Sequence, residues 1–189
     1  AALAHGTSQI TGALDSDDTR IMISGLKNLG FNVDADWNKQ TLFIHGSAGL
    51  IPKSQASIDC QASGTTMRFL TALVSLGNGH YVLDGTARMR QRPIGDLLNA
   101  LRMLGVEAEA GSAGECPPVT IRSTGVKSAE ACIQSTTSSQ FASGLALVAP
   151  CMPEGLSLEL TGTLVSTPYL DMTRKIIESF GGKCELRND

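Results

Sequence analysis

Two arginines and two hydroxyl-rich loops are the residues of this 189-residue chain that could bind an anion. Arg92 belongs to the dense basic cluster 88–94 and immediately precedes Pro93. Arg68 follows the polar loop 63–66 and lies one turn into an apolar segment. Because an unpaired guanidinium beside apolar residues is unfavourable, we expect Arg68 to have a carboxylate or phosphate partner.

The second hydroxyl-rich loop, residues 135–139, also precedes an apolar segment. One hydroxyl is enough to cap a helix, so five consecutive Ser and Thr residues exceed that need. Gln140 follows them and adds both a donor and an acceptor. The remaining arginines of the basic cluster, Arg88 and Arg90, can equally be surface charges.

These loops recur because the chain is built from repeats. A strand–glycine–loop element occurs at residues 10–15, 83–88 and 160–165, at intervals of about 75 residues, longer than the roughly 20–50 of common solenoids. In the third unit, residues 166–169 take the place of 90–93, and alone they could be a helix cap with a first-turn proline. The first unit keeps only the end of a preceding helix, at residues 1–6. We therefore expect residues 1–189 to form a single domain excised within a repeat.

Two kinds of helix are expected in each unit. Segments 67–76 and 141–150 are apolar nearly all round, which is typical of buried helices. Amphipathic helices are predicted at 18–29, 94–104 and 171–180, the second with Pro93 at its first position and Gly105 as its stop. Strands are predicted at 41–44, 80–83, 119–122 and 156–160.

This pattern predicts a mixed α/β fold of three similar units around a pseudo-threefold axis, with the apolar helices inside and the sheets outside. Equivalent helices would then gather their N-termini at one end. Each N-terminus carries free N–H groups and a partial positive charge, so the hydroxyl-rich loops are expected to border a common anion site.

Composition excludes several other functions. The chain is 42% hydrophobic with a net charge of −3, so it has no positive field to attract nucleic acid. Its apolar runs are shorter than the roughly 20 residues of a membrane span, and no signal peptide precedes them. Five cysteines without a CxxC pair and three scattered histidines argue against a metal site. Reduced thiols indicate a cytoplasmic protein.

Four segments, in order, resemble the signature segments of the 5-enolpyruvylshikimate-3-phosphate (EPSP) synthase family: 63–68, 88–94, 138–141 and 166–169. The resemblance runs over essentially the whole chain. It implies the enolpyruvyl transferase fold (an inverse α/β barrel), with two domains of three βαβαββ units each. It also implies transfer of the enolpyruvyl group of phosphoenolpyruvate to the 5-hydroxyl of shikimate 3-phosphate, without metal or organic cofactor.

The resemblance assigns binding residues but no catalytic ones. Shikimate 3-phosphate would be held by Ser138, Ser139, Gln140, Ser166 and Tyr169. Phosphoenolpyruvate would lie near Gly64, Arg68, Arg92 and Gln140. The family's acid–base carboxylates belong to the second domain, which would be the partner of this one within a monomeric cytoplasmic enzyme. Phe69 replaces a proline found in many relatives, so the response to the family's inhibitor, glyphosate, stays open.

Three other functions are considered. A UDP-N-acetylglucosamine enolpyruvyl transferase would have the same fold and a reactive loop cysteine, for which Cys116 before Pro117 is the candidate. An isolated half could bind a phosphorylated ligand without turnover, which we expect of this chain alone. A purely structural repeat domain is disfavoured by the excess of hydroxyls and arginines at helix starts.

Overall fold

The computed structural model describes residues 1–112, 114–134, 139–162 and 167–187. Five helices lie in these residues: α1 (Asp17–Asn28), α2 (Gly64–Val74), α3 (Gly95–Met103), α4 (Ser139–Val148) and α5 (Thr167–Ser179). The strands there are β1 (Thr7–Thr11), β2 (Asn32–Asp36), β3 (Thr41–His45), β4 (Gln55–Asp59), β5 (Asn78–Asp84), β6 (Glu107–Ala110), β7 (Val119–Thr124), β8 (Glu130–Gln134) and β9 (Ser157–Thr161). Short 3-10 turns occupy Met89–Gln91 and Ala149–Cys151.

The three sheets are versions of one sheet. The largest has the order β4-β5-β7-β6, with β4 parallel to β5 and the other pairs antiparallel. The sheet β1-β3-β2 repeats the arrangement β5-β7-β6, and the parallel pair β8-β9 repeats β4-β5. The middle unit therefore has the complete order βαβαββ, and the repeats expected from the glycine spacing are present in three dimensions.

The apolar helices form the centre of the core, as predicted. Helix α2 contacts α1, α3 and α4 as well as β5 and β7. Most of its residues from Thr66 onward are buried, as are most of those of α4. Both helices begin earlier than predicted, because their polar first turns belong to the helix.

The amphipathic helix α3 corrects one prediction. Pro93 is not its first residue, because α3 begins at Gly95 and Ile94 is the N-cap residue, with φ −132°. The N–H of Ile94 donates to the carbonyl of Glu115 (2.9 Å), which keeps this residue outside the helix. Arg92 is extended, as expected before a proline. Gly105 ends α3 with φ +81°, as predicted.

The other predicted elements agree with the structure to within a few residues. The four predicted strands correspond to β3, β5, β7 and β9, and the two remaining amphipathic helices to α1 and α5. Helix α5 begins four residues before its predicted start. Among the described residues, no helix combines the length and apolar character needed to cross a membrane.

Replacing Leu101 with alanine tests the packing of α3. Leu101 is fully buried, whereas Met103 on the same helix is 52% exposed. Because the truncated leucine leaves a cavity, Leu101→Ala should lower the free energy of unfolding by about 2–5 kcal/mol. Met103→Ala, the matched control, should change it by less than about 0.5 kcal/mol. Urea unfolding followed by circular dichroism measures both, and equal stability of the two variants would contradict the packing described.

Candidate anion-binding site

Ser63 determines where α2 begins. Its Oγ accepts a hydrogen bond from the N–H of Thr66 (3.3 Å) and donates to Thr66 Oγ1 (2.8 Å). Both side chains are buried, so these two hydroxyls close the helix end and are not open to a ligand. In the described part of the chain, the N–H groups of Gly64 and Thr65 have no hydrogen-bond acceptor. The opening turn of α2 therefore presents free donors at the positive end of the helix.

Gln140 joins the first turns of α4 and α2. Its Oε1 accepts a hydrogen bond from Arg68 Nη1, and its Nε2 donates to Thr65 Oγ1 (3.3 Å). The guanidinium of Arg68 also lies over the ring of Phe141, with Cζ 5.0 Å from the ring centroid. These contacts hold the half-buried Arg68 across the junction of the two helices.

Arg92 reaches the same place from the loop after β5. A Cβ built on Gly64 would lie 2.6 Å from Arg92 Nη1 and 3.1 Å from its Cζ, so the guanidinium rests directly on the glycine backbone. Burial, and secondarily the charge of Arg92, lowers the pKa of Arg68. Two like charges are therefore held near each other at the start of α2.

Neither of these two arginines has a carboxylate partner among the described residues. The ion-paired arginines are others: Arg20, Arg90, Arg102, Arg122, Arg174 and Arg187. Two unneutralised guanidinium groups beside a helix N-terminus favour a bound anion, because each can donate two parallel hydrogen bonds to a carboxylate or phosphate. The arrangement can bind and orient such a ligand.

Comparison with known proteins identifies the family. The sequence profile of EPSP synthase (3-phosphoshikimate 1-carboxyvinyltransferase) matches residues 1–189. This chain belongs to the EPSP synthase family. The 3-phosphoshikimate 1-carboxyvinyltransferase of Marinomonas sp. is 38% identical over 188 residues, which are 100% of this chain and 44% of that protein. The enzyme of the same name from Shewanella pealeana is 40% identical over 98% of this chain and 44% of its own length.

A plant relative and a solved structure extend the comparison. The chloroplastic 3-phosphoshikimate 1-carboxyvinyltransferase of Arabidopsis thaliana is 38% identical over 98% of this chain and 37% of its own length. The structure of EPSP synthase from Acinetobacter baumannii superposes with a TM-score of 0.83 at 24% identity, over 99% of this chain and 41% of that one. The likeness confirms the predicted fold class, and the chain spans less than half the length of these relatives.

The structure brings together four residues that the resemblance to EPSP synthases assigns to phosphoenolpyruvate: Gly64, Arg68, Arg92 and Gln140. Ser139, assigned to shikimate 3-phosphate, is the first residue of α4 and adjoins this group. Tyr169 lies in the first turn of α5 and is 57% exposed. Ser138 and Ser166 lie outside the described residues.

Two polar residues near the site were not assigned from the sequence. Thr65 bonds Gln140, and its place in the loop 63–66 was the available signal. Asp84 binds Arg90 through two hydrogen bonds (2.9 and 2.5 Å), which answers the open question about that arginine: it is ion-paired at the protein surface. A carboxylate at a strand end six residues before an arginine was the available signal.

Cys60 lies at the end of β4 beside the site and is not a candidate nucleophile. Burial, with smaller contributions from Asp59 and Asp84, raises the pKa of its thiol to about 12. The reactive thiolate is therefore scarce at neutral pH. In the described portions of the chain, no group of three His, Cys, Asp or Glu residues is arranged to hold a metal ion.

Replacing Arg92 with alanine separates anion binding from stability. Arg92 is exposed and forms no ion pair with another described residue, so we expect the melting temperature to stay nearly unchanged. Loss of one charge-assisted contact should weaken binding of inorganic phosphate by about tenfold or more. Arg122→Ala is the control, since Arg122 is also exposed but pairs with Glu109 on a neighbouring strand. Isothermal titration and thermal unfolding give both quantities; a large fall in melting temperature would instead assign Arg92 a structural role.

Proposed function

We propose that this chain is the shikimate 3-phosphate-binding domain of a 3-phosphoshikimate 1-carboxyvinyltransferase. The whole enzyme would transfer the enolpyruvyl group of phosphoenolpyruvate to the 5-hydroxyl of shikimate 3-phosphate and release phosphate. The observation that carries this proposal is the junction of α2 and α4, where Gln140 bonds Arg68 beside Arg92, which has no carboxylate partner among the described residues. Both substrates are anions, and membership of the EPSP synthase family selects them among anionic ligands.

Each residue has a proposed role. Arg92 and Arg68 neutralise phosphoenolpyruvate, and Gly64 allows its close approach to the backbone. Gln140 contacts both ligands, which is supported by its position between the two helices. Ser138, Ser139 and Ser166 bind shikimate 3-phosphate, with Tyr169 beside its ring. The arginines offset the mutual repulsion of two anions that must meet.

The chain alone is proposed to bind without turnover. It spans 37–44% of the relatives described above, and the acid–base groups of the addition–elimination reaction are proposed to lie in the remainder of the protein. Incubation with both substrates should therefore release no phosphate. Measurable release by the purified chain would contradict this division of roles.

We further propose that the full protein is a monomer in a reducing compartment, the cytoplasm. All five cysteine thiols are unpaired. A second domain in the same polypeptide would supply the opposing wall of the active site, so no other subunit is required. Sedimentation of the full-length protein tests the monomer, and an obligate dimer would contradict it.

A UDP-N-acetylglucosamine enolpyruvyl transferase is the second candidate. It would need a reactive loop cysteine, and Cys116 does not have that character. Cys116 is only 7% exposed, and its Sγ donates to the carbonyl of Gly114 (3.4 Å). A buried thiol is a poor nucleophile. Covalent labelling of Cys116 by fosfomycin would favour this alternative, and its absence is expected.

Titration with shikimate 3-phosphate tests the proposed ligand. In the isotope-labelled chain, the amide resonances of Ser139, Gln140 and Tyr169 should shift on addition of the ligand. Those on the outer strands β2 and β6 should not, because they belong to sheets rather than to the helix starts. Absence of shifts at Ser139 and Gln140 at millimolar ligand would count against the assignment.

Gly64→Ala should discriminate between the two substrates. The added methyl group would occupy the place of the Arg92 guanidinium, so binding of phosphoenolpyruvate in the presence of shikimate 3-phosphate should weaken by about tenfold. Binding of shikimate 3-phosphate alone should change little. Gly144→Ala is the matched control, because a Cβ there meets only ordinary contacts of 3.5 Å. Unchanged phosphoenolpyruvate affinity in Gly64→Ala would refute the role of Gly64.

A further inference from the structure

We propose that Asp84 is a positioning residue for Arg92 and acts through Arg90. This inference rests on the proposed function, because it takes Arg92 to bind phosphoenolpyruvate. Asp84 is the last residue of β5, and Arg90 lies in the 3-10 turn that follows. The ion pair therefore ties the end of a core strand to the turn from which Arg92 extends.

The Asp84 carboxylate accepts three hydrogen bonds. Its Oδ1 accepts hydrogen bonds from Arg90 Nε (2.9 Å) and from the N–H of Gly85 (2.8 Å), and its Oδ2 accepts from Arg90 Nη2 (2.5 Å). A two-point pair of this kind determines the orientation of both groups, unlike a single contact. In agreement with this geometry, the pKa of Asp84 is lowered, and the hydrogen bond from Arg90 is the largest cause.

The turn transmits this restraint to Arg92 through the backbone. The N–H of Arg90 donates to the carbonyl of Thr86 (3.1 Å), and that of Arg92 donates to the carbonyl of Met89 (3.0 Å). The side chain of Met89 is buried in the core. Met89 on the inside and Arg90 on the outside thus hold the turn from opposite faces, which places the backbone of Arg92 where its guanidinium reaches Gly64.

Comparison of the units indicates that the fold does not require a charge at position 84. The parallel register places Asp59 opposite Asp84 at the end of β4 and β5. The equivalent positions of β8 and β9 are the uncharged Gln134 and Thr161. The same strand pair forms with and without the carboxylates, so the charge of Asp84 is available for Arg90.

The negative charge of Asp84 allows a decisive test, because its removal has opposite effects on binding in the two possible cases. A negative charge near an anion site opposes binding through its field, so its removal should strengthen binding if it acted through the field alone. If Asp84 acts by positioning Arg92, its removal should weaken binding. Asp59→Asn is the matched control: this neighbouring carboxylate accepts from the N–H of Gln61 (2.8 Å) but forms no ion pair with a described residue.

The experiment compares Asp84→Asn, Arg90→Gln, the double variant and Asp59→Asn. Asparagine keeps the oxygen that accepts from the N–H of Gly85, but it loses the charge and has an NH2 group in place of Oδ2, the acceptor for Arg90 Nη2. From the ordinary strength of an exposed ion pair, Asp84→Asn and Arg90→Gln should each weaken phosphoenolpyruvate binding by about three- to fivefold, measured with shikimate 3-phosphate present. The double variant should bind phosphoenolpyruvate no more weakly than either single variant, because all three variants lose the same Asp84–Arg90 interaction. Affinity for shikimate 3-phosphate should not change.

Other outcomes overturn the inference. Tighter phosphoenolpyruvate binding by Asp84→Asn would show action through the field, and together with weaker binding by Arg90→Gln it would make Arg90 itself the ligand. Equal weakening of both substrates would show a general structural role.

A ligand-free measurement separates this inference from the proposed function. The 15N heteronuclear NOE of the Arg92 amide and of its side-chain Nε–H should fall in Asp84→Asn and not in Asp59→Asn. If the unaltered chain bound no phosphoenolpyruvate, the proposed function would fail while this measurement still decided the positioning role. An unchanged NOE would reject that role.

Discussion

The site depends on the close packing of α2 against α4. Gly144 of α4 lies against α2, where a Cβ would be 3.5 Å from the Ala72 side chain and from the Arg68 carbonyl. The contact between the two helices brings Gln140 within reach of both Arg68 and Thr65. Without this approach, the polar first turns of the two helices would not share one site.

The apolar core also explains why a charge can be kept at the helix junction. Arg68 lies beside buried residues, its guanidinium faces the ring of Phe141, and Gln140 satisfies one of its donors. A neutral amide partner leaves the positive charge uncompensated, whereas a carboxylate would have neutralised it. Elsewhere in the described structure most arginines are ion-paired, so positive charge is concentrated where α2 begins.

The fold was largely predictable from local patterns. Glycines such as Gly105, in a left-handed conformation after a helix, mark the repeat, and the contrast between apolar and amphipathic helices separated inner from outer elements. The start of α3 was misjudged because a proline before a helix is usually its first residue. Here the N–H of Ile94 donates to the carbonyl of Glu115 and Ile94 is the N-cap residue, so the helix begins two residues after the proline, and no local pattern reveals that partner.

The sequence by itself determined the three units, the two kinds of helix and the family, because each depends on residue types at short separations. Tertiary structure decided how the polar groups are used. The hydroxyls of Ser63 and Thr66 bond each other in a buried helix cap. Arg90 is ion-paired with Asp84, whereas the guanidinium of Arg92 lies against Gly64. A serine or an arginine has the same chemistry in each of these situations. Only the partners that the folded chain brings to it decide whether it stabilises the protein or stays free for a ligand.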